Sequence, residues 1–295
     1  MNLSLSRSFP IAKAALAVAV IACVVALTCS LVGCASGGTG SSSADADNTS
    51  ASTDGKTLRV AMELAYPPFE TKDDAGNPEG LAVDFIRDFG AAYGYDVQIE
   101  NTAWDGLIPS LQSDKADLVI SSMTITDERK QSVDFSDAYA MAQLAILANA
   151  DSGVASIDDL NQPGKKVAVK TGSTGDVYAT KNLTDAEIVR LADESACVTE
   201  VVQGKADGFL YDQLTIYRNH QANPDTTEAV FIPFQDAEEW GIAVKKGNTE
   251  LLDQMNAFIA QSKTDGEFDR LTEKYLADEK KAFDQYGFKW FFDFE

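Results

Sequence analysis

Three hydroxyl residues, Ser121, Ser122 and Thr124, follow a short apolar run, Leu118 to Ile120, and Arg129 comes five residues later. Hydroxyls donate hydrogen bonds, and a guanidinium holds a carboxylate in a planar two-pronged pair whose remaining lone pairs those hydroxyls can fill. The group suits an anion, and a carboxylate in particular. Read singly, Ser and Thr after a strand serve turns and caps, and an Arg is a solvated surface charge, so spacing alone leaves both readings open. Two further places offer complementary chemistry. Lys170-Thr-Gly-Ser-Thr-Gly175 puts small residues between a strand and a helix, where exposed N–H groups near Thr174 favour an anion; it lacks the Gly-Lys-Ser/Thr ending of a nucleotide loop. Asp212, at the end of the run Ala206 to Tyr211, is a candidate for an ammonium group.

These residues need elements to carry them. Thr57 to Glu63 alternates as a strand and breaks at Tyr66-Pro-Pro-Phe69, where two prolines impose an extended loop that projects the rings. Asp74-Ala-Gly-Asn-Pro marks a turn, and Leu81, Phe85, Phe89 and Ala92 form a helical stripe that should face a sheet. Val97 to Ile99 is the next strand. Trp104 opens a helix, with Asp105 as its cap and Pro109 in its first turn. Asp117 to Ile120 reads as a short buried strand. Strand and helix in alternation predict an α/β lobe with a largely parallel sheet. A second such lobe starts near Ile157-Asp-Asp-Leu160, and the chain returns to helix-forming sequence after Gly241-Ile-Ala-Val244.

Ser-Ser-Met-Thr-Ile-Thr-Asp-Glu-Arg129, closed by Val133-Asp-Phe-Ser-Asp-Ala-Tyr139, resembles the core of the extracellular solute-binding proteins of family 3, the polar amino-acid receptors of ABC importers. The likeness runs over roughly residues 57 to 277. It implies an α/β, two-lobed, periplasmic-binding-protein-like fold of type II, with two α/β lobes joined by two crossing strands near Tyr139 to Gln143 and Asp236 to Trp240. Lobe 1 would take 57–140 and 241–295, and lobe 2 would take 141–240. Two crossing strands make a hinge that closes on a ligand. The same likeness assigns a free amino acid to the cleft. Its α-carboxylate would meet Arg129, Thr124, Ser122 and the neighbouring Ser121, with N–H groups near Thr174, and its α-ammonium would meet Asp212. Tyr66 and Trp104, which otherwise read as core aromatics, would stack on its aliphatic part. Glu63 and Lys170 would face its side chain: a carboxylate and an ammonium together suit glutamine, and an unpaired Lys170 suits glutamate or aspartate. If the two pair with each other, the side chain goes unread. An ABC permease and its ATPase are the implied partners of a monomer that needs no cofactor.

The rest of the sequence bounds these expectations. A net charge of −22 over 295 residues leaves no basic stripe for nucleic acid. No His and Cys cluster suggests a metal. Residues 1–33, with Arg7, Lys13 and an apolar run from Ala14 to Leu27, read as a signal peptide. Leu31-Val-Gly-Cys34 resembles a lipobox, which implies a lipidated Cys34 that anchors the protein on the extracytoplasmic face of the cell membrane. Residues 35–56 lack large apolar side chains and form a tether with an average reach of about 25 Å. Removal of Cys23 and Cys29 and lipidation of Cys34 leave Cys197, which shares a helical face with Val201, and so no internal disulfide. The segment Phe283 to Glu295 holds seven aromatics, too many to leave in water, and should pack on the body. An enzyme on this scaffold is the alternative, since some exported cyclohexadienyl dehydratases resemble these receptors. It would need a placed acid or base. His220 reads as solvated surface and Glu63 could serve, but Arg129 with Asp212 favours capture without turnover. A ligand-sensing domain is a third reading.

Overall fold

The computed structural model describes residues 55–286 and 289–293, apart from the Gln285 side chain. The expected signal peptide, the expected lipidation site Cys34 and nearly all of the expected tether lie outside the described residues.

The first part of the chain runs β1 (Lys56–Met62), a small hairpin of β2 (Thr71–Lys72) and β3 (Pro78–Glu79), α1 (Leu81–Tyr93), β4 (Tyr95–Asn101), a 3₁₀ turn (Trp104–Gly106), α2 (Leu107–Gln112), β5 (Leu118–Val119), α3 (Asp127–Lys130) and β6 (Val133–Phe135). After β7 (Ala140–Ala142) come β8 (Leu144–Asn149), α4 (Ile157–Leu160), β9 (Lys166–Lys170), α5 (Thr174–Asn182), β10 (Glu187–Leu191), α6 (Glu194–Val202), β11 (Gly208–Asp212), α7 (Gln213–Ala222) and β12 (Thr227–Val230). The chain then passes through β13 (Glu238–Trp240), β14 (Ala243–Lys245), α8 (Thr249–Ser262), α9 (Glu267–Tyr275) and α10 (Ala277–Tyr286).

Two five-stranded sheets result, in the orders β4-β1-β5-β14-β6 and β10-β9-β11-β8-β12. Each departs from the expected largely parallel sheet in the same way. Three strands are mutually parallel, and the fourth, β14 or β8, runs antiparallel to both its neighbours. Both odd strands directly follow a hinge strand. The chain enters each lobe at the carboxyl edge of its parallel strands, so the entering strand has to run the other way. The hinge itself is the antiparallel pair β7 and β13, with Glu238 opposite Ala142 and Trp240 opposite Ala140.

Leu81, Phe85 and Phe89 of α1 are fully buried against the first sheet, each worth about 1.5–3 kcal/mol. Ala92, expected on the same stripe, is exposed, because the helix ends one residue later at Tyr93. Gly80 starts α1 at φ +131°, and a Cβ there would lie 2.4 Å from the Phe69 carbonyl oxygen. That close approach lets the Pro68 and Phe69 carbonyls accept the Leu81 and Ala82 N–H groups, so the Tyr66–Phe69 loop caps the helix in place of a side chain. Asp105 is no cap either: it lies within the 3₁₀ turn, and Gly106 precedes α2.

The aromatic tail packs on the body. Trp290 and Phe291 are buried, and the Phe291 ring sits 5.1 Å from Phe69 and 5.4 Å from Trp240. Its carbonyl accepts the Met141 N–H at 2.7 Å, directly on a hinge strand. Phe283 and Tyr286 of α10 meet Tyr217 on α7, in the second lobe.

Candidate functional site

The carboxyl ends of β1, β5, β9 and β11 face one another across the cleft, as open α/β sheets place their ligand sites. Glu63 follows β1, and Tyr66 and Glu70 come from the loop that caps α1. The turn after β5 carries Ser121, Ser122 and Thr124, with Ser122 at φ +47°, in the left-handed region that residues other than glycine seldom adopt. A cavity there is lined by Glu63, Tyr66, Glu70, Trp104, Ser121, Ser122, Thr124, Arg129, Leu144, Ser173, Thr174, Glu194, Tyr211, Asp212, Glu238 and Trp240. Of the ten expected residues, nine line it. Lys170 does not.

Lys170 is 1 % exposed and pairs with Glu63 across the cleft, with Glu194 at 3.2 Å on its other side. The ammonium of the expected glutamine site is thereby spent on two protein carboxylates. The Trp104 ring lies below both cations, 5.1 Å from Lys170 Nζ and 5.2 Å from the Arg129 guanidinium.

Arg129 is held by local bonds and one across the cleft. Thr126 caps α3 by accepting the Arg129 N–H, the guanidinium Nη1 donates to the Thr124 carbonyl at 2.7 Å, and Nη2 crosses to the Gly172 carbonyl at 3.1 Å. Burial lowers its pKa, and the charge of Glu238 is the largest influence opposing that. Asp212 ends β11 and caps α7, accepting from Leu214 N, Thr215 N and Thr215 Oγ1 at 2.9, 3.1 and 2.8 Å. Its burial raises its pKa against those bonds. The Tyr66 hydroxyl neighbours this carboxylate but has no partner within hydrogen-bonding geometry.

Ser121, Ser122 and Thr124, read in the sequence as carboxylate donors, are engaged within the protein, and so is the Thr174 hydroxyl. Ser121 Oγ accepts the Glu63 N–H at 3.0 Å, tying two strand ends together, and Ser122 Oγ donates to Glu70 at 3.1 Å. Thr124 and Thr174 both donate to Glu238.

Sequence reasoning missed Glu70, Glu194, Tyr211, Glu238 and Trp240. Glu70 stands right after the Tyr-Pro-Pro-Phe loop and is 1 % exposed, and burial lifts its pKa well above the usual carboxylate range. That position was the signal available for it. Glu194 lies at the start of a helix that follows a strand, as Thr174 does. Glu238 and Glu239 look alike in sequence, and only the strand's alternation turns one inward. His220, expected at the solvated surface, is half-buried, with Nδ1 3.1 Å from the Thr227 carbonyl oxygen. None of these distances brings it to the cleft.

Residues 58–278 match the model of the bacterial extracellular solute-binding proteins, family 3. The chain belongs to that family. It is 35% identical to a probable histidine-binding protein of Neisseria gonorrhoeae, covering 78% of this chain and 86% of that one. It is 33% identical to the L-arginine-binding protein of Pseudomonas aeruginosa, covering 79% and 90%. Among solved structures, an ancestral arginine-binding protein bound to arginine superposes with a TM-score of 0.69 at 37% identity, over 75% of this chain and 98% of that chain. An ancestral amino acid-binding protein described as a precursor of cyclohexadienyl dehydratase gives 0.68 at 38%, over 74% and 94%. The matched family region ends at residue 278, so nearly all of α10 and the aromatic tail lie beyond it.

Proposed function

We propose that this protein captures a free amino acid between its lobes and delivers it to the permease and ATPase of an ABC importer, with no chemical turnover. One observation carries the reading: Arg129 on the first lobe and Asp212 on the second line one cavity, so both ends of a zwitterion are met only when the lobes close. Charge-assisted hydrogen bonds of this kind are worth about 1.5–3 kcal/mol each. Closure is then stabilised by the ligand's own charges.

The ligand class follows from what surrounds those two residues. Glu63 and Glu194 line the cavity in addition to Asp212, while Lys170 offsets part of their charge from behind Glu63. Glu70 is 1 % exposed, and burial favours its uncharged form. The remaining excess is negative. A side chain with a cation, as in arginine, lysine, ornithine or histidine, balances it better than the amide of glutamine, and the histidine- and arginine-binding relatives support the same class. Trp104 would give such a cation an aromatic face. Before the cleft, residues 1–33 act as an export signal and lipidated Cys34 holds the monomer on the outer face of the membrane.

The test is a thermal-shift panel of the twenty amino acids with ornithine and cystine, followed by calorimetry. At a hundredfold excess over Kd, binding adds about 2.7 kcal/mol and raises the midpoint by several degrees. Shifts confined to cationic amino acids are expected. A shift with glutamine alone would return the specificity to that amide, and silence throughout would sink the receptor reading.

A further inference from the structure

Glu238 belongs to hinge strand β13, and its carboxylate sits where the two lobes meet. The turn after β5 is hydrogen-bonded to this strand on both sides of Thr124, through Ile125 N to the Glu239 carbonyl and Gly241 N to the Met123 carbonyl. That pairing sets Thr124 opposite Trp240, two residues along the strand from Glu238 and on the same face. Glu238 Oε2 accepts from Thr124 Oγ1 at 2.9 Å, on the first lobe, and from Thr174 Oγ1 at 2.8 Å, on the second. Oε1 accepts from Gln235 Nε2 at 2.8 Å, and Arg129 feels the charge. A threonine hydroxyl has one proton to donate. With both protons given to Glu238, neither serves a second carboxylate, and two like charges at one position repel.

We infer that Glu238 is a built-in competitor for the ligand's α-carboxylate: it bridges Thr124 and Thr174 to latch the lobes together, and an amino acid has to displace it to bind. The inference rests on the receptor reading above for the ligand's part, and on the hinge geometry alone for the latch. Displacement needs only a side-chain rotation, because Glu238 pairs with Ala142 through its backbone. Affinity for any α-amino acid is accordingly set below what Arg129, Thr124 and Thr174 could provide. A ligand without an α-carboxylate would leave Glu238 in place.

Calorimetry of wild type, Glu238→Ala and Glu238→Gln with L-arginine and agmatine, and with L-histidine and histamine, separates these roles. Removing the competitor should tighten L-arginine or L-histidine by about tenfold, the effect of one good charge-assisted hydrogen bond, with no gain for the decarboxylated amine. Equal or weaker amino-acid binding in both variants would overturn the proposal and make Glu238 a positioning residue. Small-angle scattering without added ligand gives an independent arm. The radius of gyration should rise in Glu238→Ala as the latch opens, and an unchanged radius overturns the latch. Should wild type bind neither amino acid, the cationic-ligand reading fails and the scattering result alone decides for or against the latch.

Discussion

Lys170, on the second lobe, lies between Glu63 on the first lobe and Glu194 on its own, and its side chain is 1 % exposed. An ammonium out of water between two carboxylates is stable only while both partners remain. Lys170→Met should therefore leave two acids facing each other in a dry site and cost about 3–5 kcal/mol, read as a lower urea midpoint with an unchanged slope. An unaltered midpoint would show that the trio contributes nothing net to the fold.

Glu70 makes a pH prediction. Burial raises its folded-state pKa well above its ordinary value of 4.5. The folded state thus holds this proton more tightly than the unfolded chain, so the associated stability is present below that value and is lost as pH rises toward the folded pKa. Glu70→Gln keeps the acceptor and donor without the ionisation. Between about pH 5 and pH 8 its melting temperature should decline less than that of wild type, and parallel profiles would refute the assignment.

Asp212 has two jobs that one pair of substitutions divides. Asparagine still caps a helix, so Asp212→Asn should keep most of the stability while weakening amino-acid binding by about 1.5–3 kcal/mol, whereas Asp212→Ala should lose about 1 kcal/mol of stability besides. Equal stability of the two variants would argue against the cap, and undiminished binding in Asp212→Asn would argue against an ammonium contact.

Cys197 is fully buried on α6, and burial pushes its thiol up to about 12. It should resist iodoacetamide at pH 8 in native protein and react only with unfolding, so that the labelling rate follows the opening equilibrium. Rapid native labelling would contradict the packing.

Phe291 joins the tail to Phe69 and Trp240. Phe291→Ala should cost about 3–5 kcal/mol, as for other buried aromatics, in a segment beyond the family's matched region. A loss under 1 kcal/mol, measured by denaturant unfolding, would make the tail an ornament of the body.

Several strands and part of the cavity lining were legible in local pattern, an apolar run that ends in hydroxyls and a strand that ends in Asp212, while the crossing points followed only from the family resemblance. Pairings between distant residues were not legible. Lys170 and Glu63 are 107 residues apart, and their ion pair exists only because the lobes meet. Among 46 acidic residues nothing in the sequence marks Glu238 as a cavity residue. The antiparallel strand in each sheet was missed for a related reason, since strand direction depends on where the hinge delivers the chain. The proposed ligand class rests on carboxylate placement, which depends on how the lobes meet.

The chain holds three tryptophans, one in the cleft, one on the hinge strand and one in the tail. Trp104 lies beside Arg129 in the cleft, Trp240 ends the hinge strand, and Trp290 belongs to the tail fastened behind it. Indole emission shifts with the polarity and charge around the ring, so the cleft, the pivot and its anchor each carry a native optical label. Closure can be followed in the unmodified protein by its own colour.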